Sequence, residues 1–259
     1  MNLQPLASYL SHWLHRVDEH SIHSPFFFDF YNQVIKKSRK APGHPRIERL
    51  RNTLLKDQTP VPNDDPGAGP RLDKKGKKTI SRIAKNSLSP PWASRLYQRI
   101  IQYNDSKNIV ELGTSLGLNT LYLAEKEGAR VSTFEGSTAL AHMALTHFGL
   151  FEKENINLIE GNIDRTLPEF LQNTGKIDFA LMDANHRHEP TLRYFNLLAR
   201  RLTDKSILAV DDIHWSREME RAWETLHRHE LVYGSIDLYR CGLLFFDPAL
   251  NKQHFILSA

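Results

Sequence analysis

The chain has 259 residues, of which 40% are hydrophobic, so one domain with a proper core can form, with room for an N-terminal extension. A single cysteine, Cys241, excludes an internal disulfide and is typical of a reducing compartment. No signal peptide or transmembrane stretch is recognisable, since His12, His15 and Arg16 interrupt the N-terminal segment. We therefore expect a cytoplasmic protein with no membrane partner.

The first predicted element is an amphipathic helix over residues 3–17, followed by a segment dense in aromatic residues, 23–31. An exposed aromatic patch of this kind would lower solubility. We expect it to pack on the core, to cover the functional site or to form a homodimer contact.

The net charge of +4 conceals a strongly basic segment. Residues 36–85 contain fifteen Lys and Arg against five Asp and Glu, a balance of +10, which leaves −6 for the remainder. Within it, residues 63–70 predict a loop and residues 71–78 a basic run. Such an arm could attract phosphate groups of RNA or of a small molecule, or it could simply be solvated. No aromatic residue lies between Thr53 and Pro91, so a base-stacking surface is missing and nucleic acid is the less expected partner.

The most informative stretch covers residues 108–120 and reads N-I-V-E-L-G-T-S-L-G-L-N-T. It predicts a short buried strand, a glycine turn and the start of a helix. Glycine lets the backbone approach a ligand closely, and a helix N-terminus offers unpaired N–H groups with a partial positive charge. We therefore expect a polar small molecule at the turn between Gly113 and Gly117.

Acidic residues around this turn narrow the choice of ligand. A nicotinamide-binding turn would read G-x-G-x-x-G, and the middle glycine is missing here. Glu111 would repel a pyrophosphate but suit a cation, and Glu135, at the end of the next predicted strand, suits a ribose diol. A nucleoside with a positive tail, such as S-adenosylmethionine (SAM), fits both acids.

The motif resembles the class I SAM-dependent methyltransferases and is most similar to small-molecule O-methyltransferases of the catechol and caffeoyl-CoA type, over about residues 89–246. The resemblance implies an α/β, Rossmann-like sheet, mostly parallel with an antiparallel last strand and helices on both faces. It also implies methyl transfer to an oxygen, or a nitrogen, of a small molecule. Residues 89–259 would form the SAM-binding domain, and residues 1–88 a helical lid extension with a basic loop.

The resemblance also implies which residues contact the cofactor. Asn162 and the backbone of Ile163 would contact adenine, although Asn162 could equally be a plain turn residue. The full predicted set comprises Glu111, Gly113, Thr114, Ser115, Gly117, Glu135, Gly136, Asn162, Ile163 and Asp183.

The resemblance also implies a metal site and a catalytic base. In that family Mg²⁺ is held by an aspartate after the fourth strand and by an Asp-Asn pair after the fifth. The first position is Asp183 in this chain. The pair is Asp211 and Asp212, with aspartate in place of asparagine. The family's base is a lysine, and that position is His186 here, with His214 as a second candidate base. Alternatively, the Asp pair only caps the helix predicted to begin near Trp215, and Asp183 contacts the edge of the cofactor.

Two other functions stay open from the sequence. One is an RNA methyltransferase that uses the basic arm over residues 36–85. The other is a SAM-binding protein without catalytic activity.

Overall fold

A computed structural model describes residues 4–62 and 78–258. The predicted loop 63–70 and nearly all of the predicted basic run 71–78 lie outside the described residues. Among the residues described, no helix combines the length and the apolar character needed to cross a membrane.

Helices and strands alternate through most of the chain. The helices are α1 (Gln4–His15), α2 (Pro25–Phe30), α3 (Lys36–Lys40), α4 (Pro45–Leu54), α5 (Ile80–Ser87), α6 (Pro91–Tyr103), α7 (Leu118–Leu123), α8 (Thr138–Leu150), α9 (Ile163–Asn173), α10 (His188–Ala199) and α11 (Arg217–His227). The strands are β1 (Pro60–Val61), β2 (Lys78–Thr79), β3 (Asn108–Leu112), β4 (Arg130–Glu135), β5 (Ile156–Glu160), β6 (Phe179–Met182), β7 (Ile207–Asp211), β8 (Gly234–Asp237), β9 (Cys241–Phe245) and β10 (Gln253–Ile256).

The chain divides into two compact units. Met1–Lys37 and Thr174–Ala259 form the first, here called the terminal unit, and Ser38–Asn173 form the second, the central unit.

The central unit contains three parallel strands in the order β3-β4-β5. α8 packs on β4 and β5, and α7 packs on β4, α4 and α6. Apolar residues of these helices and of the glycine turn form a buried cluster: Ile47, Leu54, Val61, Ile80, Ala84, Leu116, Leu118, Leu121, Tyr122, Ala144 and Phe148. This core holds the end of β3, and hence the predicted ligand turn, against α7 and α8.

The terminal unit contains five strands in the order β6-β7-β9-β8-β10. β9 runs antiparallel to both β7 and β8, whereas β10 runs parallel to β8. The predicted antiparallel strand is therefore present but is neither the last strand of the chain nor an edge strand. β10 extends the sheet beyond it, because the chain after β9 crosses over β8 and adds a further strand in the parallel direction.

The aromatic segment after α1 packs on this sheet. Phe27 and Phe30 are completely buried, and their ring centroids lie 5.2 and 5.1 Å from that of Phe245 in β9. Of the roles that the sequence left open for this segment, core packing is the one observed for these two rings. Phe28, by contrast, is 46% exposed.

Candidate functional site

The turn between β3 and α7 is bent by residues in the left-handed region of φ. Gly113 and Gly117 have φ of 102° and 77°, and Ser115 between them has φ of 48°. Glycine adopts such angles without a steric cost. A Cβ at position 117 would lie 2.6 Å from Cε1 of Phe148. Both the conformation and the close packing therefore require glycine at this position.

Hydrogen bonds from two directions fix the turn. The N–H groups of Gly113 and Thr114 both donate to the carbonyl of Phe134, at 3.1 and 3.0 Å. On the other side, Nδ1 of His147 lies 2.9 Å from the carbonyl oxygen of Leu116. Burial lowers the pKa of His147, so the neutral ring donates its Nδ1 proton to that carbonyl. The backbone of the turn is thus placed before any ligand binds.

Glu111 is completely buried beneath the turn. Its Oε2 accepts hydrogen bonds from the hydroxyls of Thr120 and Thr133, the second at 2.6 Å. The hydroxyl of Thr114 lies 2.6 Å from that of Thr133 and joins the same network. Burial raises the pKa of Glu111 from 4.5 to about 7, although the two threonine hydroxyls lower it, and nearby Glu135 raises it further. The side chains of Glu111 and Thr114 therefore connect β3, β4 and α7.

Glu135, the last residue of β4, is oriented by two backbone amides. Its Oε2 accepts from the N–H of Ser115 at 2.7 Å, and its Oε1 accepts from the N–H of Ser137 at 2.9 Å. The hydroxyl of Ser115 in turn lies 2.7 Å from that of Ser87 in α5. A carboxylate can accept about four hydrogen bonds, so the two amide bonds are compatible with further hydroxyl donors. The structure thus brings together Glu135, which precedes Gly136, and the glycine turn.

The loop after β5 meets the same strand end. The N–H of Gly161 donates to the backbone carbonyl of Glu135 at 2.8 Å. Asn162 is exposed, and its Oδ1 accepts from the N–H of Asp164 at 2.9 Å. Asn162 thus caps α9, whose first residue is Ile163. This is the turn role that the sequence left open for Asn162, and its contact with adenine stays a prediction.

A second group of predicted residues comes together in the terminal unit. Asp183, His186 and Asp212 follow β6 and β7, and one potential ligand atom of each lies within 4.8 Å of the others. Nε2 of His186 is 3.5 Å from Oδ1 of Asp183. Burial and the neighbouring Asp211 raise the pKa of Asp212, while Arg240 and His186 lower it. His186 and Asp212 also have positive φ, 24° and 54°, a conformation that the surrounding structure must maintain.

Asp211, the third predicted metal ligand, does not belong to this group. Its side chain is fully buried, and its Oδ2 lies 3.1 Å from Nη2 of Arg240. Nη1 of the same guanidinium lies 3.4 Å from Oδ1 of Asp212. Arg240 was not among the predicted site residues. It lies between β8 and β9, 29 positions after Asp211, and no local pattern in the sequence indicates this pairing.

His214, the second candidate base, is held between two carboxylates. Its Nε2 lies 2.9 Å from Oδ2 of Asp237, and its Nδ1 lies 3.5 Å from Oε1 of Glu220. Burial lowers the pKa of His214, but these two carboxylates raise it above the usual value overall. A carboxylate beside each ring nitrogen stabilises the doubly protonated imidazole, which favours a structural role for His214 over that of a base. The three residues lie in the wall of a cavity of about 310 Å³, which is also lined by Ser8, Ser11, His12, His15 and Ile256.

Residues 110–213 match the model of a family described as a methyltransferase domain. No curated protein matches the chain significantly. Several solved structures do match. A putative O-methyltransferase from Klebsiella pneumoniae is 15% identical over 80% of this chain and 91% of its own, with a TM-score of 0.59. An O-methyltransferase from Bacillus cereus in complex with SAH is 18% identical over 62% and 83%, with a TM-score of 0.54. A putative caffeoyl-CoA O-methyltransferase from Staphylococcus aureus is 17% identical over 64% and 88%, with a TM-score of 0.56.

At these identities the solved structures establish the fold, and they confirm the Rossmann-like architecture predicted from the sequence. The family match confirms a methyltransferase domain over residues 110–213, as the sequence predicted. The matched range contains the glycine turn, Glu135 and the group Asp183, His186 and Asp212, whereas His214 and Arg240 lie beyond its end.

Proposed function

We propose that this chain binds SAM at the glycine turn and moves its methyl group to an oxygen of a small molecule, a proposal that the methyltransferase domain over residues 110–213 supports. The position of Glu135 carries the proposal. Its carboxylate is fixed 2.7 Å from the amide of Ser115 in the turn, where it can accept hydrogen bonds from both hydroxyls of a ribose. The Bacillus cereus relative was crystallised with SAH, which supports a nucleoside ligand of this kind.

The remaining cofactor contacts follow from the same strand ends. Gly113 and Gly117 let the backbone of the turn approach the cofactor, and Gly136 does the same beside the ribose. Asn162 and Ile163 are the proposed contacts to adenine. The buried side chains of Glu111 and Thr114 serve this site indirectly, by holding the turn in place.

For methyl transfer the protein has to align the acceptor with the cofactor and to remove a proton from the acceptor. The methyl group of a sulfonium is already electrophilic, and holding the acceptor oxygen in line, about 3 Å from the methyl carbon, can lower the barrier by roughly 7–11 kcal/mol. The acceptor hydroxyl must lose a proton as the new bond forms. The family resemblance assigns this step to His186, in the loop after β6, where its Nε2 lies 3.5 Å from Oδ1 of Asp183.

Calorimetry on the purified chain tests the cofactor assignment. We expect binding of SAM and of its demethylated product, and no heat with NAD. Heat with the dinucleotide and none with SAM would refute the proposal, because the acid-flanked turn should exclude a pyrophosphate.

The acceptor can be sought by incubating the chain with radiolabelled SAM and a fractionated cell extract. Label in a small-molecule fraction that resists ribonuclease supports the proposed acceptor class. Label that ribonuclease removes would instead identify an RNA methyltransferase. Cofactor binding without transfer to any fraction would identify a SAM-binding protein without catalytic activity.

A further inference from the structure

The magnesium site predicted from the family resemblance does not fit this structure. It requires carboxylate oxygens from Asp183, Asp211 and Asp212, since Mg²⁺ is held by oxygen ligands. The side chain of Asp211 has no exposed surface and lies 3.1 Å from the guanidinium of Arg240. To bind a metal ion, Asp211 would have to leave this ion pair, and its completely enclosed side chain offers no exposed oxygen to an ion.

A nitrogen ligand is available instead of that third carboxylate. We propose that Asp183, His186 and Asp212 form a site for a divalent first-row transition metal ion rather than for Mg²⁺. An imidazole nitrogen suits Fe²⁺, Co²⁺ and Zn²⁺, whereas Mg²⁺ prefers a set made of carboxylates, carbonyls and water. His186 then acts as a ligand, in place of the base role predicted from the sequence.

The geometry of the three side chains agrees with this assignment. Their ligand atoms all lie within 4.8 Å of one another, and atoms that share one ion at about 2.1 Å can be up to about 4 Å apart, so small side-chain rotations suffice. The side chains of Asp183, His186 and Asp212 are 14%, 31% and 21% exposed. They are therefore accessible to an ion from solvent and yet partly withdrawn from it.

Such an ion would act as a Lewis acid that makes a hydroxyl easier to deprotonate. That use of the ion rests on the proposed methyl transfer, whereas binding of the ion does not.

Titration of the chelator-treated full chain with CoCl₂, followed by visible absorption, tests the site without measuring activity. We expect a cobalt spectrum of stoichiometry one that a hundredfold excess of MgCl₂ does not displace. His186→Gly should weaken cobalt binding by about 10-fold or more; glycine is chosen because it tolerates the positive φ at this position. His188→Ala, at a neighbouring histidine outside the group, is the matched control and should bind cobalt as the wild type does.

Asp183→Asn provides a second variant should His186→Gly fail to fold, and it should also weaken cobalt binding by about 10-fold or more. The proposal is wrong if the chain binds no cobalt, if MgCl₂ competes on equal terms, or if removing the His186 imidazole leaves the spectrum and affinity unchanged. Calorimetry with SAM on the same samples reports the proposed function separately, so failure of one proposal can be told apart from failure of the other.

Discussion

Replacing Glu111 with glutamine should change how the stability of the chain depends on pH. Glu111 is completely buried, and burial raises the pKa of its carboxyl group from 4.5 to about 7. Glutamine has nearly the same shape, and its carbonyl oxygen can still accept the hydroxyl hydrogen bonds of Thr120 and Thr133. The substitution therefore removes the titration while keeping most of the network.

The magnitude follows from the difference in proton binding between the folded and unfolded chain. Below pH 4.5 residue 111 is protonated in both states. Between pH 4.5 and about 7 the folded chain keeps this proton and the unfolded chain has released it, so the free energy of unfolding falls as pH rises. At 1.36 kcal/mol for each pH unit, the fall attributable to Glu111 is on the order of 3 kcal/mol. The Glu111→Gln variant lacks this fall.

Urea unfolding at a series of pH values from 4.5 to 8, followed by tryptophan fluorescence, measures the effect. Other titrating groups are common to both proteins and cancel when the two free energies are subtracted. The free energy of unfolding of the Glu111→Gln variant minus that of the wild type should increase by about 3 kcal/mol over this pH range. Glu127→Gln, at an exposed glutamate of the same unit, should give a flat difference. A flat difference for Glu111→Gln as well would show that the two threonine hydroxyls fully offset the cost of burying the charge.

Three further substitutions test the site and its support. Glu135→Gln should weaken SAM binding in calorimetry by about 10-fold or more, because a charge-assisted hydrogen bond contributes roughly 1.5–3 kcal/mol; equal affinities for this variant and Glu127→Gln would contradict the ribose contact. Gly117→Ala should destabilise the chain more than Gly128→Ala in urea titrations: both positions have positive φ, 77° and 73°, but only the first places the new Cβ against an aromatic ring, at 2.6 Å. Equal losses would show that the ring moves aside without cost. Asp237→Asn should lower the free energy of unfolding by about 3–5 kcal/mol, because it leaves the two histidines beside it without their buried carboxylate. A loss below about 1 kcal/mol would mean that those pairs behave like solvent-exposed ones.

The alternation of strands and helices through the matched region could be predicted because each element has a local pattern. The sequence predicts a strand over residues 130–134 and a helix over residues 137–150; the structure has Arg130–Glu135 and Thr138–Leu150, with Ser137 capping the helix. Strands that are buried on both faces have uninterrupted runs of apolar residues. Such runs can be recognised in the sequence without knowing which strands lie next to them. Because the ends of these strands could be predicted, the positions of the glycine turn and of Glu111 and Glu135 beside it could be predicted as well.

Features that depend on distant parts of the chain were harder to predict. The sequence predicts only residues 167–171 of α9 as helical, because the first turn of Ile163–Asn173 is largely polar and shows no apolar repeat. The family resemblance predicts an antiparallel last strand, but a two-residue alternation is the same for a strand read either way, so the sequence does not show which of the final strands runs against the others. The parallel placement of Gln253–Ile256 beside Gly234–Asp237 is therefore found only in the folded sheet.

The adjacent acids after β7 show why the proposed metal ligands were the residues hardest to predict from the sequence. Successive side chains of a strand point to opposite faces of the sheet. Asp211 ends the strand and Asp212 follows it with φ of 54°; both carboxylates lie near Arg240, but of the two it is Asp212 that also reaches the group around Asp183. Matching the pair to a family motif treats the two acids as equivalent, whereas the geometry of the strand separates them. In the proposed site the third ligand comes from the loop after β6, where Nε2 of His186 lies 3.5 Å from Oδ1 of Asp183.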